Sequence, residues 1–165
     1  MALFHGQRLV ATSVVNGEKD RKWKKQDVMG RAVGMAHACF LWCVKHGAGA
    51  PDELVAEWPQ IYSDTKSKGD RNPLIALGGV CTALAVYLGA PATTAYRPRE
   101  WCGNLPKNET VKGAKKSPRA SMTVGNLDQH EMAVWHAAKY HDEIDAMGIG
   151  LHHFGRFKRN RVFGT

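Results

Sequence analysis

Apolar and polar residues follow one another in short and long runs along this chain, and the two lengths predict strands and helices. Short apolar runs at residues 54–62, where Pro59 ends the strand, and at 92–96 are typical of strands. Longer segments with apolar residues at helical spacing predict helices from about Lys24 to His46 and from Asn72 to Leu88. This alternation predicts an α/β fold in which helices flank a sheet.

Turn and capping residues set the limits of several elements. A polar turn separates two apolar runs, 1–4 and 8–15, and predicts an antiparallel hairpin. Asn72 is a typical N-cap residue and Pro73 suits the first position of a helix, so a helix is predicted to start there. Gly89 is predicted to end that helix.

The apolar positions of the predicted helices identify candidate core residues. In the first long helix they are Val28, Ala32, Ala36, Cys39, Phe40 and Cys43. In the second they are Leu74, Leu77, Cys81, Leu84 and Leu88. Asn126 resembles an N-cap with Gln129 three residues later, which predicts another helix through Met132 and Trp135.

Length and composition favour one intracellular domain. The chain has 165 residues and is 44% hydrophobic, which leaves room for a single domain, 1–165, with its own core. Its four cysteines form no C-x-x-C pair, so reduced thiols are expected. Cys39, Cys43 and His46 fall at helical spacing and would suit zinc, but their apolar neighbours favour core positions. Neither a membrane span nor a signal peptide is recognisable.

Charge points to a polyanionic partner. The formal net charge is +8, which favours contact with nucleic acid or a membrane surface. Cations are concentrated in polar segments at residues 16–25, 103–124 and beyond 155. Each of these segments has a simpler interpretation as a solvated loop, and a functional one as a contact with phosphates.

Carboxylates at two places in the chain carry the chemical hypothesis. Glu57 closes an apolar strand that is predicted to be buried. The acid is either solvated at the strand edge or buried, in which case it needs a cation or hydrogen bonds. Asp142 and Asp145 are three residues apart and share one face of a predicted helix. Apolar residues on the opposite face, Ile144, Met147 and Leu151, would pack that helix down. Such an acid set suits a hard divalent ion such as Mg²⁺.

Three segments carry motifs of a known family: 57–62 after an apolar strand, 98–107 with its Pro-Arg-Glu-Trp-Cys-Gly motif, and 141–150 with Asp-x-x-Asp-Ala. Together they resemble the RuvC-like Holliday-junction resolvases, especially their phage-type relatives. The resemblance implies a ribonuclease-H-like mixed sheet flanked by helices and two-metal hydrolysis of DNA junctions. It implies that Glu57, Asp142 and Asp145 are catalytic ligands of Mg²⁺ or Mn²⁺, in a homodimer in the cytoplasm of a bacterial or phage-infected cell.

The chain departs from that family at its beginning. The family's first acid lies on an opening strand, whereas residues 1–15 here resemble the hairpin that follows it. We therefore expect an N-terminally short domain that lacks the first strand and its aspartate. A start codon assigned downstream, a truncated gene and a loss in this homologue are three open explanations.

These observations lead to a functional expectation with two alternatives. The expectation is a crossover-junction endodeoxyribonuclease of DNA recombination and repair. The alternatives are a catalytically impaired junction-binding protein of the same fold and an accessory protein that binds RNA. The residues expected to contact branched DNA are Tyr62, Lys66, Lys68, Lys107, Lys115, Lys116, Arg119, Arg159 and Arg161.

Overall fold

The computed structural model describes residues 1–16, 28–58, 72–102 and 127–156, which contain four strands and five helices. None of the helices described there is long and apolar enough to cross a membrane. In chain order the elements are β1 (Ala2–His5), β2 (Arg8–Thr12), α1 (Val28–Lys45), β3 (Glu53–Glu57), α2 (Asn72–Leu88), β4 (Ala92–Tyr96), α3 (Pro98–Trp101), α4 (Gln129–Ala137) and α5 (His141–His153).

The predicted α/β class is confirmed. The described strands form two small sheets, the antiparallel pair β1-β2 and the parallel pair β3-β4. The ribonuclease-H-like arrangement stays a prediction.

The chain divides into two compact units, one made of Met1–Val14 with Pro98–Thr165 and the other of Val15–Arg97. We call them the hairpin unit and the crossover unit.

The hairpin unit is built on the predicted hairpin. β1 and β2 pair antiparallel from Ala2 opposite Thr12 to His5 opposite Arg8, with an irregularity between Leu3 and Phe4. Gly6 has a φ of 56°, which an L side chain rarely adopts, so glycine is suited to this turn. α4 and α5 pack on the hairpin around a core of buried side chains: Leu9, Trp135, Ile144, Met147 and Leu151.

The crossover unit is a strand, helix, strand arrangement. β3 and β4 run parallel with Glu53 opposite Ala92 and Glu57 opposite Tyr96, and α2 lies between them in sequence. Parallel neighbours require such a crossover because a tight turn cannot connect them. α1 packs against α2, and a Cβ on Gly79 would lie 3.7 Å from the Cβ of Ala32.

Glycines end both long helices, as predicted for Gly89. Gly47 and Gly89 have φ values of 72° and 63°. The N–H groups of Gly89 and the residue after it donate to the carbonyls of Val86 and Ala85, over 3.1 Å in each case. At the end of α1, the N–H groups of Gly47 and the residue after it donate to the carbonyls of Val44 and Cys43 in the same way. Both helices therefore end in a Schellman motif, which satisfies their last carbonyl groups.

Three sequence predictions need correction. The strand that carries Glu57 is half-buried along its length rather than buried, because β3 pairs with one neighbour among the described strands. Leu77 was expected in the core but is 45% exposed. The N-cap of α4 is Asp128 rather than Asn126, because Asp128 and Glu131 form a reciprocal capping box two residues further along.

Candidate functional site

Glu57 lies at the carboxyl end of β3. It is opposite Tyr96, the last residue of β4, and the N–H of Trp58 donates to the Tyr96 carbonyl over 2.8 Å. The two parallel strands therefore end side by side. In open α/β sheets, ligands bind outside the carboxyl ends of parallel strands, so Glu57 occupies the edge where chemistry is most often found.

Asp142 and Asp145 lie in the first turns of α5, as the sequence predicted. The Asp142 side chain is 68% exposed, and its Oδ1 lies 3.0 Å from Nε2 of His141. Asp145 is half-buried, and its Oδ1 is shielded from solvent. The side chains of Ile144, Met147 and Leu151 are buried, which confirms that this helix packs through its apolar face. One acid of the pair is thus open to solvent, whereas the other is partly enclosed.

A buried carboxylate fixes the start of α5. Glu143 is 8% exposed, and its Oε2 accepts hydrogen bonds from the N–H groups of Lys139 at 2.8 Å and Tyr140 at 3.0 Å. The bond from Tyr140, the N-cap residue, is the reach-back contact of a capping box. The backbone just before Asp142 is therefore held in one conformation.

The end of α5 is held by a glycine turn and an ion pair. Gly155 has a φ of 67°, and the N–H of Arg156 donates to the Leu151 carbonyl over 2.8 Å. This Schellman motif turns the chain so that the Arg156 side chain meets Glu131 in α4. Nη1 and Nη2 of Arg156 each lie 2.7 Å from a different oxygen of Glu131.

Glu131 is the centre of a hydrogen-bond network that sequence reasoning did not identify. Its side chain is 2% exposed, and besides Arg156 it accepts the N–H of Leu9 at 2.8 Å and of Asp128 at 2.9 Å. Arg156 also donates to the carbonyl of Gln7 in the hairpin turn. The Arg156 hydrogen bonds outweigh desolvation and lower the pKa of Glu131 to about 2. The available signal was the Asp-x-x-Glu capping-box pattern at 128–131.

Close contact also fixes α5 against the hairpin. A Cβ on Gly150 would lie 2.6 Å from Cζ of Phe4, which is closer than real Cβ contacts. The Phe4 ring also packs against Phe154, with ring centroids 5.5 Å apart. Only glycine permits this approach of helix and ring. The acidic helix is therefore set in place along its whole length.

The three carboxylates of the predicted metal site lie on elements of two different units. Asp142 and Asp145 share α5 in the hairpin unit, whereas Glu57 belongs to the crossover unit. That the three acids share one site stays a prediction. Within the described ranges, no three His, Cys, Asp or Glu side chains form a group that could hold a metal ion.

The residues predicted to contact DNA all lie outside the described residues. Of the 23 Lys and Arg residues, sixteen belong to residues 17–27, 59–71, 103–126 and 157–165, and seven belong to the described ranges. The same described ranges contain nine of the 15 Asp and Glu residues. The positive charge of the chain is therefore carried by the sequence between and after the described elements.

The cysteines are buried or half-buried. Cys39, Cys43 and Cys102 are at most 5% exposed. Burial raises the pKa of Cys39 to about 11 and also raises the pKa of Cys43 and of Cys81. Protonated thiols are poor zinc ligands, which agrees with the predicted core role.

Comparison with known proteins does not assign this chain to a family. No protein-family model, curated protein or solved structure matches this chain. The resemblance to junction resolvases therefore rests on the motifs themselves.

The donor chemistry of the candidate acids can be tested against the implied metal. Glu57, Asp142 and Asp145 offer only carboxylate oxygens, the ligand type that Mg²⁺ and Mn²⁺ prefer. Asp142 is exposed, so an ion with retained water ligands could reach it. The residues fit a hard divalent ion in ligand type.

Proposed function

We propose that this chain is a divalent-metal-dependent endonuclease that hydrolyses phosphodiesters in branched DNA such as Holliday junctions. The observation that carries the proposal is the placement of Asp142 and Asp145 at the start of a helix that is fixed at both ends. A rigid helix gives carboxylates the constant geometry that metal-dependent hydrolysis requires. The +8 net charge of the chain supports a polyanionic substrate.

The three acids have the same role in this proposal. By the resemblance, Glu57 at the end of β3 and Asp142 and Asp145 in α5 would be the ligands of the ion. His141, 3.0 Å from Asp142, orients that carboxylate. A bound Mg²⁺ or Mn²⁺ supplies activation of the attacking water and stabilisation of the leaving 3′ oxygen. The junction has two equivalent cleavage positions, so we expect two copies of the chain to act together as a homodimer.

The test is cleavage of a fluorescently labelled four-way junction and of its linear duplex arms, with Mg²⁺, with Mn²⁺ and with a chelator. Metal-dependent cleavage of the junction is expected, and E57Q, D142N and D145N should each reduce its rate by about a hundredfold or more. D52N is the matched control, because Asp52 is exposed and precedes β3, so its rate should equal that of the unmodified chain. Equal rates for all four variants would refute the catalytic assignment.

A second candidate is a junction-binding protein that does not cut DNA. The net charge of +8 supports it equally, because binding to DNA requires cations but no metal ligands. In this case the chain binds the junction with high salt dependence, and cleavage is absent with either metal. Tighter binding to structured RNA than to the junction would instead favour the RNA-binding alternative.

A further inference from the structure

An open groove lies in the hairpin unit where β2 begins beside the start of α4. It has a volume of about 490 Å³ and is lined by Arg8, Asp128, Gln129, His130 and Ala133. The groove is largely open to solvent, so an occupant would stay mostly exposed. None of these residues belongs to the predicted metal or DNA sites.

Asp128 in this groove is already engaged on both of its oxygens. Oδ1 accepts the N–H of Glu131 at 2.8 Å as the helix cap, and Oδ2 lies 2.8 Å from Nε of Arg8. The hydrogen bond from the Glu131 backbone lowers the pKa of Asp128, so its carboxylate is ionised at neutral pH. The Arg8 side chain is 59% exposed. A guanidinium has five N–H donors, and the Nε contact occupies one of them.

Neighbouring contacts hold the groove walls in place. His130 Nε2 lies 3.1 Å from the Val10 carbonyl, which can only accept, so Nε2 carries the proton. Behind the groove, Glu131 bonds the N–H of Leu9, the residue after Arg8. Arg8 and Gln129 are thus presented from two elements that are tied together by buried hydrogen bonds.

We propose that this groove binds a backbone phosphate of DNA, with the Arg8 guanidinium as the cationic donor and the Gln129 amide as a neutral donor. Arginine suits this role because its planar fork matches two phosphate oxygens. A contact of this type positions DNA without reading its sequence. The inference rests on the proposed function for the identity of the polyanion, and it adds a contact outside the predicted basic segments.

The experiment is fluorescence anisotropy with a labelled four-way junction and a labelled linear duplex, titrated between about 50 and 200 mM salt. R8Q should weaken binding to both DNAs several-fold and reduce the slope of log affinity against log salt by about 0.9, since one phosphate contact is lost. R31Q is the matched control, because Arg31 is an exposed arginine of α1 outside the groove, and it should leave both quantities unchanged.

A second variant, D128N, should strengthen DNA binding where R8Q weakens it. D128N keeps a good N-cap residue but removes the negative charge beside Arg8, so it should tighten DNA binding. Equal effects of R8Q and R31Q, or weaker binding by D128N in a chain whose folding is intact by circular dichroism, would overturn the inference. If the chain binds DNA and R8Q has no effect, the groove assignment fails and the proposed function stands. If the unmodified chain binds no DNA, both fail.

Discussion

Arg156 and Glu131 form a two-pronged ion pair across 25 residues of sequence, with two N···O distances of 2.7 Å. Glu131 is 2% exposed and the Arg156 side chain is 17% exposed. The pair connects the end of α5 to the start of α4, and through Leu9 and Gln7 it also connects both to the hairpin. The pair therefore ties α4, the end of α5 and the hairpin together.

Removal of one partner should be strongly destabilising. We expect E131Q to lower the free energy of unfolding by about 3 to 5 kcal/mol, because it leaves the largely buried Arg156 cation uncompensated. Urea denaturation followed by circular dichroism measures this change. D142N is the control, because that carboxylate is 68% exposed, and it should shift stability by less than about 1 kcal/mol.

The double variant E131Q/R156Q distinguishes an ion pair from two independent contacts. If the two residues stabilise the fold through each other, the double variant should lose less than the sum of the two single variants. Strictly additive losses would show that each residue acts through separate neighbours.

The same pair predicts how stability depends on acidity. The pKa of Glu131 in the folded chain is about 2, below its value of about 4.3 in an unfolded chain. The ionised Glu131 carboxylate therefore stabilises the fold fully above about pH 4.3, and this contribution is lost as the pH falls toward 2. The stability difference between the unmodified chain and E131Q, measured in urea at several pH values, should narrow in that range. A difference that stays constant down to pH 2 would contradict the assignment.

The contact between Gly150 and Phe4 predicts that even a methyl side chain at position 150 destabilises the fold. G150A should destabilise the fold by about 1 to 3 kcal/mol, because the new Cβ overlaps the Phe4 ring and the helix must shift. Thermal or urea unfolding checks this value. F4L, which removes the ring, should recover part of the loss when it is combined with G150A.

A second glycine provides the matched control. Gly78 lies inside α2, and among the described residues no atom lies within 4 Å of the Cβ that alanine would add there. G78A should therefore stabilise the chain by about 0.5 to 1 kcal/mol, since alanine favours a helix interior more than glycine does. If both alanine variants change stability in the same direction, the Phe4 contact is not the cause.

The buried thiols predict slow alkylation. Cys39 has a pKa of about 11, and burial also raises the pKa of Cys43 and Cys81. With N-ethylmaleimide at about pH 8, Cys39 should react at least about a hundredfold more slowly in the folded chain than in urea, because thiolate is the reactive species. Cys43 and Cys81 should also react more slowly in the folded chain. Mass spectrometry of quenched samples counts the modified residues. Rapid labelling of Cys39 in the folded chain would contradict its burial.

Local sequence patterns were enough to place most elements. The hairpin, the strand that ends at Glu57 and the strand over 92–96 could be predicted because alternation and turn residues depend on neighbours in sequence. α2 begins at Asn72, within one residue of the predicted start, and Gly89 ends it as expected, since the geometry of a helix end is a property of a few consecutive residues. Such features are local, and a sequence contains them directly.

The α4 cap shows where local patterns stop being decisive. Two overlapping capping boxes, starting at Asn126 and at Asp128, fit the rule equally well. The fold selects Asp128, because Glu131 must also reach Leu9 and Arg156. A pattern of four residues does not contain those distant partners.

The tertiary structure alone decided which charged residues became structural. Glu131 and Arg156 look like ordinary surface charges in sequence, yet the fold places them together with little access to water. The sequence determines residue types and local spacing. The energy of a charge depends on its solvation and on partners that can lie more than a hundred residues away, as Leu9 lies from Glu131. Burial and long-range pairing exist only once the chain has folded.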